Sequence, residues 1–137
     1  MSLMAARAAA LDRSTPEAVV GAFLAAVDAG DVATLVATQD FIAEARDSLG
    51  LPESAADPVE LAALATRAWD LEADYRARMK RYSAPGPRGC AFDSVLSATS
   101  SRASIAFDCA GPEGRMFEIF DLVHDRDGWR IVLPVRR

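Results

Sequence analysis

The stretch GCAFDSVLSATSSRASIAFDCAGPEGRMFEIFDLVHDRDGWRIVLPV, residues 89–135, decides the fold. Apolar and polar residues alternate through it with a period near two, the pattern of half-buried strands. It predicts four strands, about 89–98, 101–110, 115–125 and 129–135. Between them stand Thr99-Ser100, residues 111–114 (Gly-Pro-Glu-Gly) and Arg126-Asp127-Gly128, all residues that favour tight turns. Loops this short join antiparallel neighbours, so the segment reads as a meander of hairpins.

Register follows from asking which pairings gather the apolar residues on one face. A two-residue turn at Thr99-Ser100 sets Cys90 opposite Cys109, Phe92 opposite Phe107 and Leu96 opposite Ala103. A turn at 111–114 sets Met116 beside Cys109, Phe120 beside Ile105 and Leu122 beside Ala103. A turn at Asp127-Gly128 brings His124 to Ile131 and Leu122 to Leu133. All three agree on one inner face, which also takes Trp129 and two polar residues, Glu118 and His124. The other face is polar at the first hairpin but apolar at Phe117, Ile119, Val123 and Val132. An apolar outer face usually meets a second subunit, so a homodimer through the sheet is expected.

Upstream the period changes to that of helices. Ser14 and Thr15 are both good N-caps, and Pro16 suits the first helical position. Val20, Phe23, Leu24 and Val27 then form one stripe, and Gly30 ends a helix over about 15–29. Asp31 opens a short second helix carrying Val32, Leu35 and Val36. Residues 39–50 keep helical spacing through Phe41, Ile42, Ala45 and Leu49. Asp57-Pro58-Val59-Glu60 opens a long helix with the stripe Leu61, Leu64, Ala68, Leu71, Tyr75, Met79 and Tyr82, which 83–87 (Ser-Ala-Pro-Gly-Pro) terminates.

The chain has 137 residues, 51% of them hydrophobic, with 15 basic and 20 acidic side chains and a net charge of −5. That suits one domain with a real core and excludes a disordered chain. The negative balance argues against nucleic acid or an anionic membrane as partner. No apolar run is long enough to span a bilayer, and residues 1–14 lack the core of a signal peptide. A cytoplasmic protein is expected, with export through a leader lost upstream left open. Residues 1–13 read as an extension, partly disordered or a cloning remnant, and 14–137 as one domain. Two cysteines and one histidine fall short of a structural zinc site. Phosphate-loop, dinucleotide, nucleophile-elbow and metalloprotease motifs are absent, so neither metal nor cofactor is expected.

Helices followed by a meander that ends in HDRDGWRIV resemble the nuclear-transport-factor-2-like (NTF2-like) superfamily. The opening TPEAVVGAFLAAVDAGDVATLV, with its Pro-capped helix and Gly30-Asp31 junction, is similar to bacterial members. The nearest resemblance is to small bacterial domains sometimes called lumazine-binding-like. It covers about 14–135 and implies an α+β fold: helices packed on the concave face of a curved antiparallel sheet of about four strands. The superfamily includes isomerases, polyketide cyclases, dehydratases and binding scaffolds, with acid–base groups in a conical pocket between helices and sheet. The isomerase pattern wants a tyrosine on the first helix, where this chain offers Phe23. It wants an aspartate on an early strand, where the nearest, Asp40, sits in helical sequence.

Glu118 is the leading candidate for acid–base work. Placed among Phe107 and Phe120, it would be desolvated and its pKa raised; alternatively it pairs with an arginine such as Arg78. His124 either lies exposed beside Asp125 or faces a pocket mouth, where it titrates near neutrality. Tyr75, Tyr82, Trp69 and Phe107 are candidate pocket-lining residues with Glu118, the aromatics alternatively serving only to pack the core. Asp40 and Asp121 are weaker candidates. Cys90 and Cys109 can bridge if they lie opposite; two free thiols are expected in a reducing compartment. Two functions compete: a non-catalytic domain binding a small apolar ligand or a protein partner, and a cyclase-, isomerase- or dehydratase-like enzyme using Glu118.

Overall fold

A computed structural model describes residues 11–81, 88–111 and 113–132. Four helices come first: α1 (Pro16–Ala29), α2 (Val32–Ala37), α3 (Phe41–Leu49) and α4 (Pro58–Arg81). Four strands follow: β1 (Arg88–Ala98), β2 (Arg102–Gly111), β3 (Gly114–Asp125) and β4 (Gly128–Val132). They form one antiparallel sheet in the order β1-β2-β3-β4. Each helix starts where a side chain satisfies an orphan N–H. Thr15 accepts from Ala18, Asp31 from Thr34, Asp40 from Ala43 and Asp57 from Glu60.

The β2–β3 pairing has the expected register, with Ile105 on Phe120 and Cys109 on Met116. The last hairpin is shifted. Its turn is Arg126-Asp127, so His124 pairs with Trp129 and Leu122 with Ile131. The turn moves by one residue and the register by two, so every side chain keeps its face. Leu133 lies outside the described residues.

The first hairpin departs further. Phe92 does pair with Phe107, but irregularities follow on β1, and Ala98 rather than Leu96 faces Ala103. The loop is three residues long, closed by Thr99 N–H donating to the Arg102 carbonyl at 2.7 Å. A bulge inserts an extra residue on one strand and exchanges the two faces beyond it. Val95 therefore takes the position opposite Ile105 and Leu96 the other face, with both side chains about half exposed.

Cys90 and Cys109 are not free thiols. The register makes them cross-strand neighbours, with Cα atoms 4.0 Å apart, and they are joined in a disulfide that ties β1 to β2. Spacing alone left this open, because it depends on both register and redox compartment.

The core has two layers separated by α1. On one side Val19, Val20 and Leu24 pack against Ile105, Phe107, Cys109, Leu122 and Ile131 of the sheet. On the other, Ala26 meets Leu35, Phe41, Ala45, Leu64, Ala68 and Tyr75 from α2, α3 and α4. Phe23 touches both layers. Four phenylalanines fill the concave face edge to face: Phe23 on Phe120 at 5.8 Å, Phe120 on Phe107 at 6.0 Å, Phe107 on Phe92 at 5.8 Å. Such pairs contribute about 0.5–1.5 kcal/mol each beyond burial. The concavity is thus occupied by α1, while α4 rests on α3 and α2.

Beyond β4 the sheet would end in an open edge, a template for unwanted pairing. Two irregular segments cover it. Trp129 N–H donates to the Arg13 carbonyl at 3.0 Å, and Ile131 N–H donates to the Thr38 carbonyl at 2.7 Å. Asp40 N–H in turn donates to the Ile131 carbonyl at 2.8 Å. Ala43 of α3 reaches round this edge to cover Val123 and Val132 on the outer face.

Candidate functional site

Where these two segments meet α4, small side chains leave a groove of about 370 Å³. Ala37, Ala65 and Ala68 line it with Phe41, Ile42 and Trp69. Residues 65, 68, 69 and 72 recur at helical spacing, so one face of α4 forms a wall. Trp69 is 77% exposed there. A second groove of about 430 Å³ shares Asp40, Ile42 and Arg130 and continues past Arg46, His124 and Asp127. Both volumes are in the lower range of small-molecule sites.

The polar groups of the first groove gather at its sheet end. Arg13 donates to the Ala37 carbonyl at 2.8 Å. Arg130 stands 3.6 Å from an Asp127 carboxylate oxygen. Gln39 is 2% exposed and donates to Thr38 Oγ1 at 3.1 Å. Three atoms here are shut off from solvent without a hydrogen-bond partner: Arg13 Nε, Arg130 Nε and Gln39 Oε1. Burial and then the adjacent charge of Arg130 hold the Arg13 guanidinium below its usual pKa, with Asp127 and Asp125 opposing. It stays charged regardless, as arginine does in proteins.

The residues singled out from sequence are dispersed. Trp69 lines the groove. Tyr75 is buried between α3 and α4, its ring 5.7 Å from that of Phe41 and 5.8 Å from the Arg78 guanidinium. Burial pushes its phenol up to about 12. Phe107 belongs to the sheet core. Glu118 is half-buried opposite Phe107, and no described side chain hydrogen-bonds to it. Arg78, the partner considered for it, pairs instead with Asp74 at 2.9 Å. His124 is exposed, with its ring 4.9 Å from the Trp129 indole. Asp40 caps α3, and Asp121 accepts from Ser104. Tyr82 lies outside the described residues. Glu118 and His124 share a strand face six residues apart, roughly 20 Å at strand rise, too far to act on one atom.

Sequence reading passed over Arg13, Gln39 and Arg130. They come from an irregular segment, a helix junction and a strand edge, and only the tertiary fold joins them. It also missed Glu44, whose carboxyl burial raises above its usual range against the pull of Arg78 and Arg67. Among the described residues, no group of three His, Cys, Asp or Glu is placed to hold a metal ion. No described helix is long and apolar enough to cross a membrane.

Helices first, then a curved four-stranded antiparallel meander, is the arrangement that the resemblance implies. Over the described residues the fold is α+β, four helices and one four-stranded antiparallel sheet. No family model matches the chain, and no curated protein does. Solved structures do. A sec-c motif containing protein from Psychrobacter arcticus matches at TM-score 0.51 and 14% identity, over 94% of this chain and 64% of that one. This chain thus spans a little under two thirds of that protein's length. A provisionally named NTF2-like transpeptidase from Campylobacter jejuni matches at TM-score 0.47 and 16% identity, over 88% of this chain and all of that one. A provisionally named dehydratase of the NTF2-like family from Streptomyces avermitilis matches at TM-score 0.40 and 15% identity, over 85% and 93%. At such identities the likeness is one of fold and transfers no activity.

Proposed function

We propose that this NTF2-like chain is a non-catalytic binding domain that takes a small, largely apolar ligand in the groove between the β4 edge and α4. The observation that carries the reading is Trp69: a large aromatic left 77% exposed on the wall of an alanine-floored groove. An indole so placed has contact area to gain from a ligand and none from the fold. The packing of the concave face by phenylalanines, and the separation of Glu118 from His124, weigh against the cyclase- or dehydratase-like alternative. Titration with 1-octanol, followed by tryptophan emission, tests the reading. A saturable change is expected, and Ala65→Phe, which fills the groove from an exposed position, should abolish it. An unchanged response in that variant, or no response at all, contradicts the reading.

The same account gives the outer sheet face to a second copy of the chain. Ala43 covers Val123 and Val132, which leaves Phe117 and Ile119 bare at 62% and 60% exposure. Along β3 that face reads Arg115, Phe117, Ile119, Asp121, a self-complementary order. A two-fold axis lying between the sheets and across the strands sets Arg115 of one copy over Asp121 of the other, with the apolar pairs between.

A further inference from the structure

We infer that the ligand of this groove is a carboxylate-bearing amphiphile, its head group held between Arg13 and Arg130 and its apolar body lying along Ile42 and Trp69. The inference rests on the binding reading above and adds the chemistry of the head group.

Two guanidinium groups line a groove whose apolar wall is built by Phe41, Ile42 and Trp69, and each keeps a shielded Nε–H without an acceptor. Like charges placed together and donors left unpaired are both unfavourable, and one oxyanion relieves both. A carboxylate does so with the geometry of the guanidinium fork. Gln39 Oε1, the third unpartnered atom, is an acceptor in a side chain only 2% exposed, suited to a hydroxyl or a water on the head group.

Acids also stand at the rim, but each is engaged. Asp40 accepts from Ala43 N–H at 2.9 Å, Glu72 pairs with Arg76 at 3.1 Å, and Asp127 lies 3.6 Å from Arg130. Because the shielded atoms face no solvent, the head group enters as a guanidinium turns. Arg130, with 29% of its side chain exposed and one long contact to Asp127, is the one free to do so. Arg13 is fixed by its bond to the Ala37 carbonyl.

Calorimetric titration of the full chain with octanoate, 1-octanol and octylammonium tests the assignment. Octanoate should bind at least about tenfold more tightly than octanol, the ratio expected of a charge-assisted pair, and octylammonium most weakly. Arg130→Gln should bring octanoate down to the octanol level. Arg130→Lys, which keeps the charge without the fork, should fall between. Equal binding of octanoate and octanol overturns the head-group assignment and leaves the apolar-ligand reading standing. An octanoate preference that survives both substitutions overturns the site. Failure of all three to bind overturns the assignment and the reading beneath it.

Discussion

Arg13 and Gly128 touch backbone to backbone. A Cβ built on Gly128 would lie 2.5 Å from Arg13 Cβ and 2.6 Å from its carbonyl oxygen, the same oxygen that accepts from Trp129 N–H. Gly128 also has φ +108°, where side chains are rarely accommodated. One glycine therefore lets the segment before α1 close the β4 edge and carry Arg13 into the groove. Gly128→Ala should lower the unfolding free energy by about 2–4 kcal/mol, measured by urea denaturation. A loss below about 0.5 kcal/mol, the range of ordinary surface substitutions, would show that the segment does not dock as described.

The Cys90–Cys109 disulfide closes a loop across a sequence separation of 19. Chain-entropy reasoning for a loop of that length puts its contribution at about 3 kcal/mol. Urea denaturation with and without reductant should differ by that order, and thiol titration of the oxidised protein should find no free cysteine. Two titratable thiols in protein prepared under oxidising conditions would rule the bridge out.

Glu44 has a raised folded pKa because burial disfavours its charge. A carboxyl whose pKa is higher folded than unfolded takes up its proton more readily in the native state. Stability therefore falls as pH rises through the window from its ordinary 4.5 to the raised value. Glu44→Gln should gain a little at neutral pH, at most about 0.5 kcal/mol because solvent reaches the group. The gain should disappear below the ordinary glutamate pKa, as thermal melts across pH will show; a loss at neutral pH would mean that Arg78 and Arg67 outweigh burial.

Tyr75 titrates the same way at the alkaline end. Its phenol is pushed up to about 12 from the ordinary 10, so the stability linked to it is complete below 10 and declines as pH rises from there. Tyr75→Phe should remove that part of the alkaline loss, read from denaturant midpoints on either side of pH 10. An unchanged alkaline slope would contradict the burial.

Ile119→Asp places a charge in the middle of the face assigned to a second copy. Sedimentation should show a dimer for the parent chain and a monomer for the variant, with unfolding midpoints otherwise near those expected of the isolated fold. A parent chain that sediments as a monomer overturns this interface.

Local chemistry carried most of the fold. Thr15, Asp31, Asp40 and Asp57 cap helices as their types predict, and the alternation through β2 and β3 set that register without error. The misplaced features depend on what lies across space. The bulges that turn Leu96 out are decided by how β1 twists against β2. The last turn shifted because Arg126-Asp127 and Asp127-Gly128 both suit a two-residue turn, and only the first aligns Trp129 with His124. The candidate site was least legible of all. Trp69 was picked as an aromatic, but nothing in its neighbourhood of sequence names Arg13 or Arg130 as companions.

The central claim is that ligand binds beside β4 and not in the concavity of the sheet. Amide and indole chemical shifts of isotope-labelled protein, followed during titration with octanoate, test it most directly. The account predicts shifts centred on Ile42, Ala65, Trp69 and Arg130, with Phe107, Glu118 and Phe120 unmoved. Shifts confined to those last three residues, or none anywhere, would contradict it.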